Sequence, residues 1–132
     1  MIVADTSVWI DLFRGIDSPQ HRALRKLIEE EEDVSITEII IAEILQGIRQ
    51  DSDFQKVKEY LLEFPVQKPE GTSTYVRAAQ VYRECRKKGK TPRKTVDCII
   101  AAICIENDLA LLHNDRDFDA IEAYAGLKVL RT

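Results

Sequence analysis

The sequence has few of the residues that stabilise disulfide-rich or zinc-bound domains. It contains three cysteines, Cys85, Cys98 and Cys104, and none of them has the C-x-x-C spacing that is typical of a zinc site. An odd number of widely spaced cysteines also argues against a disulfide framework. We therefore expect reduced thiols that serve mainly in packing.

Proline, glycine and long apolar runs are scarce as well. With four prolines, five glycines and no low-complexity segment or repeat, the composition excludes a disordered chain. No apolar run approaches the ~20 residues of a membrane span, and the first residues, Ile2–Ala4, do not follow the pattern of a signal sequence. These absences predict one cytoplasmic domain over residues 1–132, with no membrane partner.

The chain also lacks the excess of positive charge that is typical of nucleic-acid-binding proteins. Its formal net charge is −4, which by itself does not indicate such a partner. The charge is uneven, however, because six cations fall within the nine residues Arg86–Lys94. This segment is either a solvated loop, whose first cations suit the end of the preceding helix, or a local track for phosphate groups.

The apolar residues that are present follow two spacings. Short apolar runs predict buried strands at Ile2–Ala4, Val34–Ile36 and Ala110–Leu112, and an edge strand at Phe64–Val66, where Pro65 is tolerated. Helical spacing predicts helices near Val8–Phe13, Leu24–Ile28, Ile40–Ile48, Phe54–Leu62, Tyr75–Cys85, Thr95–Ile105 and Ile121–Tyr124. Strands that alternate with helices indicate an α/β fold with a mainly parallel sheet covered on both faces.

One of these helices is apolar except for a carboxylate near its start. Asp97 is the only polar residue within Val96–Ile105, with Thr95 as the predicted N-cap and Asn107 as the stop. A helix that is apolar on every face is buried. Desolvating an unpaired carboxylate costs more than the ~0.3–1 kcal/mol that the positive helix end returns. Asp97 therefore needs a partner, which is a capping hydrogen bond, an arginine or a cation.

Further carboxylates follow two of the predicted strands. Asp5 comes directly after the first strand, and Asp115 and Asp117 follow Leu112 within a few residues. The carboxyl ends of parallel strands meet at one edge of a sheet, where like charges would bind protons unless a cation neutralised them. Oxygen ligands without cysteine or histidine favour Mg²⁺ or Mn²⁺. Together with Asp97, these residues predict a metal site suited to hydrolysis of phosphate esters.

Three further residues have more than one interpretation. Helical periodicity places Glu43 outside the apolar arc of its helix and therefore on the surface, with Glu38 as a competitor nearer the edge of that arc. Thr6 and Ser7 either cap the first helix or donate their hydroxyl groups to a carboxylate or to water on a metal.

Four stretches spread along nearly the whole chain match one family pattern in the right order. They are Ile2–Ile10, Ile40–Gly47, Thr95–Ala102 and Asn114–Phe118. With these stretches the sequence resembles PIN-domain ribonucleases, and more closely the VapC-type toxins of toxin–antitoxin pairs. The family pattern favours Glu43 over Glu38 as the acidic residue of its helix.

The resemblance implies a compact three-layer α/β/α sandwich with a short-stranded, mainly parallel sheet, and makes residues 1–132 one PIN-like ribonuclease domain. It implies endoribonuclease activity, with transfer RNA as the expected class of substrate, Mg²⁺ as the cofactor and Mn²⁺ as its substitute. The catalytic residues would be Asp5, Glu43, Asp97 and Asp115, and the metal ligands Asp5, Asp97, Asp115 and Asp117. The supporting residues would be Thr6, Ser7 and Asn114. The local cluster of positive charge, rather than the resemblance, predicts that RNA binds to Lys90, Arg93 and Lys94.

The resemblance also implies protein partners. VapC-type toxins are held by a small VapB-type antitoxin, often as toxin dimers within a larger complex. We therefore expect a homodimer. We also expect an antitoxin segment that places an arginine or lysine in the acidic site and packs apolar residues into a groove beside the Glu43 helix.

Other classes of protein compete with this interpretation. A phospho-acceptor receiver domain would need paired acids after the first strand and a lysine at the end of a late strand. A phosphatase of the haloacid dehalogenase type would need an aspartate two residues after Asp5, where Ser7 stands. A catalytically silent RNA-binding protein would tolerate the loss of acids that this chain retains. Phosphotransfer from acetyl phosphate and RNA cleavage in Mg²⁺ separate these classes.

Overall fold

The computed structural model describes residues 1–132 and contains four strands and seven α-helices. The strands are β1 (Ile2–Ala4), β2 (Val34–Thr37), β3 (Val66–Gln67) and β4 (Ala110–Leu112). The helices are α1 (Thr6–Arg14), α2 (Pro19–Glu29), α3 (Glu38–Gln46), α4 (Asp51–Leu61), α5 (Thr72–Lys87), α6 (Thr95–Glu106) and α7 (Asp119–Ala125). A short 3-10 helix, Arg116–Phe118, precedes α7.

The four strands form one parallel sheet in the order β3-β2-β1-β4. The central strand, β1, pairs with β2 on one side and with β4 on the other, so that Val3 lies opposite both Ser35 and Leu111. Because the strands are parallel and in this register, the carboxyl ends of β1 and β4 lie side by side. The sheet thereby brings the residues that follow Ala4 next to those that follow Leu112.

Helices flank this sheet in two groups. α1 contacts α2 and α3, and α3 contacts α4, whereas α5 contacts α6 and α7. Val3 and Ala4 of β1 and Leu111 and Leu112 of β4 are fully buried, as expected for strands covered on both faces. The predicted three-layer α/β/α sandwich with a short-stranded parallel sheet is therefore confirmed.

Helix α6 confirms the prediction of a buried helix, since Ile100, Ala101 and Ala102 are fully buried. The predicted N-cap at Thr95 is wrong by one residue. Lys94 is the N-cap and Thr95 the first helical residue, and no side chain caps the helix. The first-turn amides therefore gain no acceptor from the cap residue, and it is Asp97 that, when ionised, places a negative charge at this helix end. The three cysteines are free and buried, which agrees with the expected packing role.

Of the other boundaries that differ from the prediction, those of α4 and β3 have a clear physical cause. α4 begins at Asp51 rather than at Phe54, because its first turn is polar and exposed and so carries no apolar periodicity. β3 is Val66–Gln67 rather than Phe64–Val66, since Pro65 has no amide hydrogen. Its carbonyl nevertheless accepts a hydrogen bond from the Ile36 amide at 2.9 Å. None of the helices combines the length and the apolar character that a membrane span requires.

Candidate active site

Asp5 is fixed at the carboxyl end of β1. Its backbone amide donates to the Leu112 carbonyl at 2.9 Å, which ties it to the end of β4. Its side chain is the N-cap of α1, where Oδ2 accepts hydrogen bonds from the Ser7 amide at 3.2 Å and the Ser7 hydroxyl at 2.8 Å. Burial raises the pKa of the Asp5 carboxyl, although the hydrogen bonds from Ser7 lower it. The capping role considered for Thr6 and Ser7 thus belongs to Asp5.

Glu43 lies half-buried on α3, within hydrogen-bond distance of the first turn of α1. The Thr6 hydroxyl donates to Oε1 of Glu43 at 2.8 Å. Both hydroxyl groups, of Thr6 and of Ser7, therefore bind carboxylates, which was the second interpretation of these residues. Glu38 is exposed at the start of the same helix and makes no such contact.

Asp97 lies in the first turn of α6 and is only 4% exposed. Its Oδ2 atom is buried and has no hydrogen-bond partner. The Lys94 ammonium lies 3.8 Å from this atom. Of the three kinds of partner expected for Asp97, which were a capping hydrogen bond, an arginine and a cation, the protein itself thus supplies a cation, a lysine side chain. Desolvation raises the pKa of Asp97 to about 7, because the opposing effect of Lys94 is too small and the charges of Asp5 and Asp115 add to the rise.

Asp97, Asp115 and Asp117 form a set of converging carboxylates, here called the acidic group. Each residue offers one oxygen, and these oxygens lie within 4.8 Å of one another. Asp115 is the N-cap of the 3-10 helix, where its Oδ1 accepts from the Asp117 amide at 2.9 Å. Its own amide donates to His113 Nδ1 at 3.2 Å. The oxygens of Asp5 do not belong to this set. The pKa of Asp97 is raised mainly by its burial, and the charge of Asp5 raises it further.

Two of the cations predicted to bind RNA pair with the acidic group. Nε of Arg93 lies 3.3 Å from Oδ1 of Asp117, and Lys94 pairs with Asp97. Partial burial lowers the pKa of Lys94, but the negative charges around it outweigh this effect and raise the pKa overall. Lys90 forms no ion pair and, with Arg93 and Asp117, lines a pocket of about 160 Å³.

Asp11, a buried carboxylate on α1, was not predicted from the sequence as a site residue. Its Oδ2 accepts hydrogen bonds from the Ser18 hydroxyl at 3.0 Å and from the Asn114 side-chain amide at 3.0 Å. The Asn114 backbone amide donates to the Ser7 hydroxyl at 3.1 Å. The signal that could have identified this residue is an acidic side chain inside an apolar stretch of helix, the same anomaly that marked Asp97.

The acidic group fits a hard divalent cation. Its donors are carboxylate oxygens without cysteine or histidine, a set that Mg²⁺ and Mn²⁺ prefer. The buried Oδ2 of Asp97 is an acceptor that no donor of the protein satisfies. A cation beside it would stabilise the ionised carboxylate and reduce its repulsion with Asp115 and Asp117.

Comparison with known proteins assigns the family. The pattern of the PIN domain matches residues 2–124, a range that includes every carboxylate described above. The chain belongs to the PIN domain family. Within that family, Ribonuclease VapC11 of Mycobacterium tuberculosis is 33% identical over 129 residues, which are 97% of this chain and 96% of the relative.

Solved structures share the PIN fold. VapBC2 of Rickettsia felis, crystallised with a DNA fragment from its promoter, has a TM-score of 0.77 at 17% identity, and the match covers 98% of both chains. Mycobacterium tuberculosis VapC20, described as a Sarcin-Ricin loop cleaving toxin, has a TM-score of 0.68 at 16% identity over 100% of both chains. At these identities the likeness shows a common fold.

Proposed function

We propose that this PIN-domain protein is a VapC-type toxin, an endoribonuclease that hydrolyses phosphodiester bonds in RNA with Mg²⁺ or Mn²⁺. The observation that carries the proposal is the convergence of three carboxylates at the carboxyl edge of the sheet, in a chain 33% identical to a VapC ribonuclease. Residues 1–132 then form one PIN-like ribonuclease domain. Because the proposed substrate is RNA, we expect the activity in the cytoplasm.

The proposed metal ligands are Asp97, Asp115 and Asp117, with Asp5 beside them. A divalent cation held there would supply positive charge to a phosphate oxygen and would lower the pKa of the attacking water. Thr6 donates to Oε1 of Glu43, which leaves Oε2 of Glu43 to orient that water and accept its proton. In-line attack on phosphorus breaks the bond to the 3′ oxygen, which takes a proton from solvent, and so gives a 3′-hydroxyl and a 5′-phosphate.

The function is tested by cleavage of structured RNA, with transfer RNA as the first substrate, by purified protein in Mg²⁺. Asp97→Asn keeps the size of the side chain and removes its charge. The cleavage rate of the variant should fall at least ~100-fold, which is the loss of activity that follows when groups supporting a metal are removed. Asp17→Asn is the matched control, since Asp17 is an exposed carboxylate that pairs with Arg22.

Two results would contradict the nuclease proposal. Cleavage at the wild-type rate by metal-replete Asp97→Asn would rule out the mechanism. Binding of RNA without cleavage by the wild-type protein in Mg²⁺ would favour a catalytically silent RNA-binding protein. The RNA that is cut in cells can be identified by sequencing RNA 5′ ends after the protein is induced.

An antitoxin partner has a place to bind beside the acidic site. A groove of about 630 Å³ lies between α1, α3 and α4 and reaches Glu43. Apolar side chains, including the partly exposed Phe13, line it together with Arg14 and Lys56. In the proposal, a VapB-type antitoxin packs an amphipathic segment into this groove, and its arginine or lysine pairs with the carboxylates and excludes the metal.

The antitoxin proposal is tested by co-expression with the small protein encoded next to this one. We expect the two to co-purify, and the complex to cleave RNA and bind Mn²⁺ more weakly than the free protein. Light scattering of both samples tests the expected homodimer and its place in a larger complex. If the neighbour neither binds nor reduces cleavage, the toxin assignment is wrong while the nuclease assignment stands.

A further inference from the structure

Asp11 is a buried carboxylate outside the acidic group, six residues after Asp5 in α1. We propose that it is a positioning residue for the nuclease site, because it holds Asn114 and thereby the segment Asn114–Asp117 against α1. The identity of the ligand at this site rests on the proposed function. The hydrogen bond between Asp11 and Asn114, here called the tie, is present in the metal-free fold.

Two hydrogen bonds join Asn114 to α1. Its side-chain amide donates to Oδ2 of Asp11 at 3.0 Å, and its backbone amide donates to the Ser7 hydroxyl at 3.1 Å. That hydroxyl donates in turn to Oδ2 of Asp5 at 2.8 Å. Asn114 is therefore fixed at both its backbone and its side chain, although the residue is exposed and lies in a loop.

The segment that begins at Asn114 carries two of the three carboxylates of the acidic group. Asp115 follows directly, and its Oδ1 binds the Asp117 amide at 2.9 Å. Both residues lie within 4.8 Å of Asp97 at their ligand atoms. Repulsion between the ionised carboxylates favours displacement of this segment from α6, which the ion pairs of Arg93 and Lys94 offset only in part. The tie between Asp11 and Asn114 opposes that displacement and keeps the carboxylates close enough to bind one cation.

The choice of an aspartate at position 11 fits this role. Burying a carboxylate costs free energy unless hydrogen bonds compensate it, and packing alone would be served better by an apolar residue. A carboxylate oxygen, however, accepts stronger hydrogen bonds than a neutral one. Asp11 uses one oxygen for two donors, Asn114 and Ser18.

The hydrogen bond from Ser18 to Asp11 points to an alternative role for Asp11, which experiment can distinguish from positioning of the site. Ser18 is the N-cap of α2, where its hydroxyl accepts from the His21 amide at 3.0 Å. Asp11 could therefore serve only to fix the junction between α1 and α2. That structural role predicts that Ser18→Ala and Asp11→Ala act alike, whereas positioning of the site predicts that Asn114→Ala and Asp11→Ala act alike.

The experiment measures Mn²⁺ affinity by electron paramagnetic resonance for the wild-type protein, four single variants and one double variant. We expect Asp11→Ala and Asn114→Ala each to weaken Mn²⁺ binding about tenfold, and the double variant to bind no more weakly than either. Asp11→Asn should restore part of the affinity, since its carbonyl oxygen still accepts from Asn114. Ser18→Ala should melt at a lower temperature yet bind Mn²⁺ like the wild-type protein.

Amide hydrogen exchange of the metal-free protein supplies a second measurement that needs no metal. Exchange at positions 114 and 117 should accelerate in Asp11→Ala and Asn114→Ala but not in Ser18→Ala. Unchanged Mn²⁺ affinity and unchanged exchange in Asn114→Ala would overturn the inference. A wild-type protein that binds no Mn²⁺ would instead contradict the proposed function, and the exchange rates would still decide whether Asp11 holds the loop.

Discussion

At the scale of single residues, Asp97 is held in a place that destabilises its charged form. Its Oδ2 atom is buried without a hydrogen-bond donor, and Lys94 approaches it only to 3.8 Å. The resulting pKa of about 7 means that the metal-free protein binds a proton at Asp97 near neutral pH. Metal binding must displace this proton, so the affinity for metal should rise as the pH increases through 7.

The raised pKa of Asp97 predicts how stability changes with pH in the metal-free protein. The unfolded chain loses this proton near pH 3.8 and the native protein near pH 7. Between these values the native state binds more protons, so the contribution of Asp97 to the free energy of unfolding falls as the pH rises. Urea unfolding in EDTA from pH 4 to pH 8 should show a weaker decline for Asp97→Asn than for the wild-type protein. Parallel curves for the two proteins would contradict the burial of Asp97.

The residues of the site differ in how well the sequence could predict them. Asp5 and Asp97 could be identified because an acidic residue after a buried strand, or inside a buried helix, is unusual enough to need a partner. Asp11 shows the same anomaly, but its partner Asn114 lies 103 residues away in the chain, and spacing gives no sign of that contact. The pairing of Arg93 with Asp117 was missed for the same reason, since it depends on the path of a loop.

At the scale of elements, the strands β1 and β4 agree with the prediction because each is a short run with nearly every side chain in the core. The boundaries of α4 and β3 could not be predicted in the same way, because the first turn of α4 is polar and β3 begins after Pro65. Helix α1 contributes both to the core and to the candidate site. One of its faces packs Trp9 against aromatic residues of α4 and the following turn, and its N-terminus carries the Asp5 cap.

Removal of Trp9 should destabilise the contact between α1 and α4. Trp9 is fully buried, its Nε1 donates to the Ala4 carbonyl at 3.0 Å, and its ring lies 6.4 Å from that of Tyr60 and 5.2 Å from that of Phe64. We expect Trp9→Ala to lower the free energy of unfolding by about 3–5 kcal/mol, as measured by urea unfolding.

The control for this change is Tyr75→Ala on α5, since Tyr75 is 49% exposed and should cost less than about 0.5 kcal/mol. If Trp9→Ala does not fold, Trp9→Phe is the milder change, which keeps one aromatic ring in the cluster and removes the bond to Ala4. Equal stabilities of Trp9→Ala and Tyr75→Ala would show that α1 does not depend on this cluster.

The loop between α5 and α6 predicts a local contribution to RNA binding. Arg93 and Lys94 are partly neutralised by the acidic group, whereas Lys90 has no ion pair and is exposed. Replacing Lys90, Arg93 and Lys94 by glutamine should weaken RNA binding and flatten its dependence on salt. Lys90→Gln alone should reduce the slope of log K against log salt by about 0.7 for single-stranded RNA.

Binding can be measured by fluorescence anisotropy in EDTA, so that cleavage does not interfere. Lys26→Gln on α2 is the matched control, because Lys26 is also an exposed lysine and pairs with Glu30. A salt slope that does not change in the triple variant would favour the other interpretation of this segment, a solvated loop.

At the scale of the whole molecule, metal binding should stabilise the fold. A ligand that binds only the native state adds about 2.7 kcal/mol when its concentration is 100 times Kd, and the cation would also offset the repulsion within the acidic group. We expect millimolar Mg²⁺ or Mn²⁺ to raise the melting temperature of the wild-type protein by several degrees and that of Asp97→Asn by much less. KCl at equal ionic strength controls for screening. A wild-type melting curve that millimolar metal leaves unchanged would show that the carboxylates do not form one site.

The order of strands in the sheet also affects how the protein is made. β1 is synthesised first, yet one of its neighbours is β4, with Ile2 opposite Ala110. At roughly 5–20 residues per second, a ribosome needs on the order of ten seconds to reach the second strand of that pair. During this interval β1 has an open edge that can pair with other chains, and Asp5 has no neighbour at position 97 or 115. Because the acidic group needs the last strand and the loop after it, a nascent or truncated chain should not cleave RNA. Ribosome-bound intermediates of this protein should therefore need protection from aggregation, whereas their nuclease activity should need no inhibitor.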